Sequence, residues 1–85
     1  MYTPRDGVLV QRVADELVLL DVRSGTYYGL NHVGVVVWEA LAAGLELSGI
    51  VDAVRRRFEV DATRAERDVE QLVGDLLARS LITPK

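Results

Sequence analysis

Three short segments rich in β-branched and aliphatic residues fill the first third of the chain, and connections of only three residues separate them. The segments cover residues 8–13, 17–22 and 26–30, and the connections cover residues 14–16 and 23–25. Gly25 gives the second connection a residue that adopts positive φ without steric cost. Two such connections in succession predict an antiparallel meander of three strands, because parallel strands need longer crossovers.

The spacing of apolar residues then changes to that of amphipathic helices. Asn31 is a good N-cap for a first helix that runs to about Ala43, and Gly44 is a natural C-terminal stop. The residues expected to form the buried stripe of this helix recur at helical spacing: Val33, Val36, Val37, Ala40 and Leu41.

Two further helices are predicted after Gly44. We expect Ser48 to cap a second helix that ends at Phe58. Thr63, with Glu66 three residues later, has the capping-box pattern and predicts a third helix to about Arg79. The expected inward residues are Ile50, Val51, Val54 and Phe58 on the second helix and Ala65, Val69, Leu72, Val73, Leu76 and Leu77 on the third, with Leu81 and Ile82 closing the core.

Three strands followed by three helices predict an α+β fold. The length of 85 residues suits one domain over residues 1–85. A domain of this size buries only about 60–65% of the surface of its unfolded chain, which leaves little room for an enclosed active site.

The composition argues against an enzyme and against a cofactor. There is no cysteine, which excludes disulfides, thiolate metal sites and cysteine nucleophiles. The one histidine, His32, has no second histidine or acidic cluster near it, so we expect no metal site. No serine lies in a nucleophile motif.

Charge and hydropathy restrict the partners and the location. The net charge of −3 gives no reason to expect nucleic acid as a partner, and the basic run at residues 55–57 is expected to be a solvated helix face. The apolar runs are too short to span a bilayer, and the N-terminus lacks the apolar stretch of a secretory signal. We therefore expect a cytoplasmic protein without a membrane partner.

The third strand is an edge of the predicted sheet. Edges expose unpaired N–H and C=O groups, and proteins usually protect them with Lys or Pro. No charge and no proline lies between Thr26 and Leu30, and Gly29 removes a side chain where another backbone would approach. This setting favours β-strand addition by an extended peptide. The alternatives are that a loop or the N-terminus covers the edge, or that the edge pairs in a dimer.

Side chains on this strand and on the third helix offer contacts for such a peptide. Tyr27 and Tyr28 face opposite sides of the strand, and with Leu30 inward Tyr28 is the core residue and Tyr27 the exposed one. On the third helix, one side of the apolar stripe would form the wall of a groove, with Leu72 and Leu76 as its floor. The aspartates on that side would contact a basic or amide-bearing ligand. The alternative is that these residues are only a solvated rim. The residues of that side are Asp68, Leu72, Asp75 and Arg79.

The stretch from Leu19 to Gly34, in which SGTYYGLNHVG is the most specific part, resembles the PqqD family, as does the following VWEAL. That family includes recognition elements for ribosomally made, post-translationally modified peptides, and the resemblance covers nearly the whole chain. It implies a winged helix-turn-helix-like domain that binds a leader peptide as an added strand on the third strand, in a groove walled by the third helix. The residues that it assigns here are Thr26, Tyr27, Tyr28, Gly29, Leu30, Asp68, Val69, Leu72, Asp75, Leu76 and Arg79.

The resemblance further implies a non-catalytic protein that presents the leader to a separate enzyme. We favour the discrete leader-binding protein of lasso-peptide pathways, whose partners are a cysteine protease and a cyclase. The alternative is a PqqD-type chaperone for a radical enzyme in pyrroloquinoline quinone synthesis.

Two other classes of function remain as alternatives. A winged-helix DNA-binding protein would need a basic recognition helix. The third helix lacks a positive face, because its acidic and basic residues balance; they are Asp68, Glu70, Asp75, Arg64, Arg67 and Arg79. The other alternative is a small structural dimer that pairs through the free edge.

Overall fold

The computed structural model describes residues 2–85, which form five strands and three helices. The strands are β1 (Tyr2–Pro4), β2 (Val8–Val13), β3 (Glu16–Asp21), β4 (Thr26–Leu30) and β5 (Ile82–Pro84). The helices are α1 (His32–Ala42), α2 (Leu47–Phe58) and α3 (Ala62–Ala78). The prediction of an N-terminal antiparallel three-stranded sheet followed by three helices, an α+β fold, is confirmed.

The three-stranded sheet has β3 at its centre, with β2 and β4 antiparallel on either side. The strands β2 and β4 have the predicted bounds, whereas β3 begins and ends one residue earlier than predicted. The first connection is therefore only two residues long, and Ala14 in it has a φ of 56°. In this register the fully buried Leu19 of β3 lies opposite Val10 of β2 and opposite Tyr28 of β4.

A second sheet joins the two ends of the chain. The strand β1 pairs antiparallel with β5, with Thr3 opposite Thr83. This sheet was not predicted, because each strand has three residues and ends in a proline, which gives no strand signal. The prediction that Leu81 and Ile82 close the core is confirmed, since both are buried.

The caps of α1 are those that the sequence predicts. The Asn31 side chain accepts a hydrogen bond from the backbone amide of Gly34 at 3.0 Å. At the other end Gly44 has a φ of 88° and donates to the Leu41 carbonyl, while Leu45 donates to the Ala40 carbonyl. This pair of bonds is the Schellman arrangement, and it ends α1 one residue earlier than predicted.

The predicted N-caps of α2 and α3 are wrong. Ser48 lies inside α2, whose N-cap is Glu46 and lacks a side-chain capping bond. Thr63 lies inside α3, because Asp61 caps that helix by accepting from the Arg64 amide at 2.8 Å. An aspartate is as good a cap as threonine, and its position two residues earlier lets the helix include more residues.

The buried face of α1 also differs from the predicted stripe. Val35 and Trp38 are buried, whereas Val33 and Val36 are only half-buried. The reason is that α1 packs against β1, β3, β4 and α2, so more than one side of the helix is covered. On α2 and α3 the predicted inward faces are confirmed, with Phe58, Leu72 and Leu77 half-buried at their margins.

Candidate functional site

The outer edge of β4 is unpaired in the part of the chain that the structure describes. Along its inner edge β4 pairs with β3, from Thr26 opposite Asp21 to Leu30 opposite Leu17. The segment Tyr2–Pro4 does not cover the outer edge, because it pairs with β5. The backbone of β4 is therefore available to hydrogen-bond an incoming extended segment.

The two tyrosines of β4 lie on opposite faces of the sheet, as predicted. Tyr27 is 69% exposed on the face away from the helices, whereas Tyr28 is half-buried on the face towards them. Tyr27 lies opposite Leu20, which in turn lies opposite Leu9. These three residues form a cross-strand apolar row on the outer face, and we call it the outer row.

The helix α3 packs against α2 and β5. At the C-cap of α3, the Arg79 guanidinium lies over the Tyr28 ring of β4, 4.9 Å from its centroid. This is the geometry of a cation–π interaction. The contact brings the C-terminal end of α3 to β4, and we call the surface from the free edge of β4 to residues 68, 72 and 75 of α3 the groove.

Further along the groove is a depression of about 420 Å³ between α3 and the start of α1. Its lining residues are Asn31, Val33, Gly34, Arg64, Asp68, Gln71, Leu72 and Asp75. The Arg64 and Asp68 side chains are 3.9 Å apart, one turn from each other on the helix. The depression therefore combines a half-buried leucine with an acidic rim, and one aspartate of that rim is partly neutralised.

Several of the predicted site residues lie at the surface of α3 and β4. Asp68, Leu72 and Asp75 line the depression, and Arg79 lies over Tyr28. Thr26 and Gly29 are exposed on β4.

Val69 and Leu76 do not line the depression. Both are fully buried in the core, so they support the groove from beneath. Leu30 is buried as well and offers a ligand only its backbone. On α3, positions 69 and 76 lie towards the centre of the apolar stripe, while 68, 72 and 75 lie on its margin.

Five lining residues were not predicted as site residues from the sequence: Asn31, Val33, Gly34, Arg64 and Gln71. Asn31 and Val33 were assigned to the cap and the core of α1, and nothing local shows that the start of α1 approaches α3. Gln71 could have been found, because it lies three residues after Asp68 and four before Asp75, on the same side of the helix.

A buried carboxylate orders the turn that leads into β4. Asp21 is buried, and its Oδ1 accepts from the Arg23 amide at 3.0 Å and lies 3.6 Å from Arg23 Nε. The hydrogen bond from the Arg23 amide has the largest effect and lowers the pKa of Asp21. Burial raises the pKa, whereas the Ser24 hydroxyl and the charge of Arg23 lower it further. The pKa of Asp21 consequently lies below its ordinary value.

This lowered pKa predicts a loss of stability in acid. A carboxyl whose pKa is lower in the folded state stabilises that state above its unfolded pKa, and this contribution disappears as the pH falls through the folded value. As the pH falls from about 6 to about 2, we expect the free energy of unfolding to decrease less steeply in Asp21→Asn than in the natural chain. Urea titrations at each pH measure it. Parallel curves for the two proteins would contradict the role of this carboxylate.

No helix within residues 2–85 is both long and apolar enough to cross a membrane. Among the same residues, no three His, Cys, Asp or Glu side chains are grouped so that they could hold a metal ion.

Comparison with known proteins shows similarity to a protein family and to solved structures. The model of a family described as coenzyme PQQ synthesis protein D (PqqD) matches residues 16–82. A structure of TbiB1 in complex with the TbiA(beta) leader peptide is 34% identical, with a TM-score of 0.90 over 98% of this chain and 96% of that chain. A lasso peptide synthetase B1 complexed with the leader peptide is 30% identical, with a TM-score of 0.89 over 98% of both chains. No curated protein sequence gives a significant match.

Proposed function

The chain belongs to the PqqD family, and from this premise we propose that it binds the leader segment of a precursor peptide and presents it to a separate enzyme. The leader adds as a strand to the free edge of β4, in the groove beside α3. The unpaired edge is the observation that carries this proposal. Both similar structures, which share at least 30% of their residues with this chain, are complexes with leader peptides.

Main-chain pairing supplies the affinity in this mechanism, and it needs no particular leader sequence. A leader that is disordered when free loses conformational entropy on binding, at a cost of about 2–5 kcal/mol of the gross interaction energy. Side-chain contacts must offset that cost and provide specificity. Because side chains alternate along an added strand, one set faces the helices and the other set faces the outer row.

The two faces of the groove favour different leader side chains. Towards α3, Leu72 suits an aliphatic group, and the Asp75 carboxylate suits a basic or amide-bearing group at the rim. On the outer face, a leader side chain beside Tyr27 extends the outer row, and an aliphatic residue or a proline packs well on an exposed tyrosine.

The chain acts as a tether in this proposal, and the chemistry belongs to the partner. Holding the leader raises the effective concentration of the adjoining peptide at the enzyme. We favour a lasso-peptide pathway, with a cysteine protease and a cyclase as partners, because one similar structure is a lasso peptide synthetase B1. The PqqD-type alternative, with a radical enzyme in pyrroloquinoline quinone synthesis, shares the same binding step.

The outer row provides a direct test of leader docking. We expect Tyr27→Ser to raise the Kd for the leader about tenfold, which corresponds to about 1.4 kcal/mol, because the ring loses its packing against the added strand. The measurement is fluorescence anisotropy with a labelled synthetic leader of a candidate precursor peptide.

Val22→Ser is the matched control for that substitution. Val22 is 51% exposed in the turn between β3 and β4 and does not belong to the outer row. Its removal should leave the affinity unchanged. Equal affinities for Tyr27→Ser and the natural chain would remove the outer face from the site, and no binding by the natural chain would overturn the proposed function.

A further inference from the structure

The strand β2 forms the second edge of the three-stranded sheet, opposite β4. The helix α1 packs against β3 and β4, so β2 extends beyond the helical layer. Val10 shows the effect: it faces the helical side and lies opposite the fully buried Leu19, yet it is 47% exposed. β2 is therefore accessible along its outer edge and on both faces.

The exposed surface of β2 is mostly apolar. Leu9 and Val13 are 57% and 52% exposed on the outer face, and Val10 is exposed on the other. Arg12 is the one charged residue of the strand, and the strand contains neither lysine nor proline. An edge strand with four aliphatic side chains, a single charge and neither lysine nor proline is open to strand pairing.

We propose that β2 pairs antiparallel with β2 of a second copy of this chain, about a twofold axis at Gln11. This register places Leu9 opposite Val13 of the second copy and Val10 opposite Arg12 of the second copy. Residues 9, 11 and 13 share the outer face in both copies, so the two outer faces join into one. The product is a continuous six-stranded sheet.

Self-pairing fits the charges and the side chains of β2. The Arg12 guanidinium is 3.3 Å from the Glu39 carboxylate on α1, which leaves its aliphatic stem to cover Val10 of the other copy. No like charges lie opposite each other within the paired strands. An axis at Val10 would instead place Leu9 opposite Gln11 and keep only one aliphatic pair, Val10 with Val10 of the second copy. The register at Gln11 gives two Leu9–Val13 pairs and is therefore preferred.

This dimer leaves the proposed leader site free. In the six-stranded sheet the two β4 strands lie at the two outer ends, and their free edges remain open. One dimer would therefore hold two leaders at once. The self-association does not depend on leader binding, so each proposal can fail without the other.

Sedimentation equilibrium of the purified chain, from about 10 µM to about 1 mM, tests the dimer. We expect the mass to rise from 9.4 kDa towards twice that value. The double variant Leu9→Lys/Val13→Lys places lysines opposite each other and should raise the dimer dissociation constant at least about tenfold. Gln11→Glu is a milder second variant: two carboxylates meet at the axis, so the dimer should weaken at neutral pH and recover in mild acid.

Two further variants identify the edge that pairs. Val22→Lys, at an equally exposed valine outside the strands, should dimerise like the natural chain, and so should Tyr27→Lys on β4. The proposal is overturned if the natural chain stays monomeric over the whole range. It is also overturned if the β2 variants dimerise normally, or if Tyr27→Lys alone abolishes the dimer, since the pairing edge would then be β4.

Discussion

Replacing Leu72 with aspartate is expected to raise the Kd for the leader by about 100-fold or more. Leu72 is half-buried and lines the depression between α3 and the start of α1, together with Asp68 and Asp75. The new carboxylate would be desolvated beneath the bound leader and would lie beside two like charges. An unpaired buried charge costs several kcal/mol, and about 2.7 kcal/mol already corresponds to 100-fold. Anisotropy titration with the labelled leader measures the change.

The matched control is Leu77→Asp. Leu77 lies on the same helix, is also half-buried against the core, and does not line the depression. Both variants lose stability, but at a temperature where both are folded only Leu72→Asp should lose the leader. Equal loss of affinity in both variants would mean a global effect, and unchanged affinity in Leu72→Asp would remove α3 from the site.

Replacing Trp38 with alanine is expected to lower the free energy of unfolding by about 3–5 kcal/mol. Trp38 is 5% exposed and lies in the core cluster, on the helix that packs against β3 and β4. Its truncation leaves a large cavity in a small core. Small domains have a total free energy of unfolding of about 5–15 kcal/mol. If the natural chain lies near the lower end of that range, a large fraction of the variant should be unfolded even without denaturant.

Urea unfolding followed by far-UV circular dichroism measures this loss, because the signal does not depend on the tryptophan itself. Trp38→Phe is the control: it keeps most of the apolar volume and should retain the folded state. A loss below about 1 kcal/mol in Trp38→Ala would contradict the buried position of this side chain.

The strand at the proposed site could be predicted from the sequence because its limits are set locally. Gly25 ends the turn before β4, and Asn31 caps the helix after it. Period two then places Tyr27 and Tyr28 on opposite faces, as observed. The α3 side of the groove was also predictable in part, because helical spacing alone puts residues 68, 72 and 75 on one side.

Other features depend on contacts between distant parts of the chain. The pairing of β1 with β5 joins segments of three residues at opposite ends of the chain, and no local pattern indicates it. The burial of Val35 and Trp38 follows from the several elements packed around α1. The place of Asn31 and Val33 in the depression likewise follows from how α1 and α3 approach each other. Periodicity describes one helix at a time and does not contain this information.

The most direct test of leader docking is amide hydrogen exchange of the ¹⁵N-labelled chain, measured by NMR with and without saturating leader. If the leader pairs with β4, alternate amides within Thr26–Leu30 should exchange at least about tenfold more slowly in the complex, because each acquires a hydrogen-bond acceptor. Amides of β2 should not change on leader addition. Unchanged exchange throughout β4 at saturation, with protection elsewhere, would contradict strand addition at this edge.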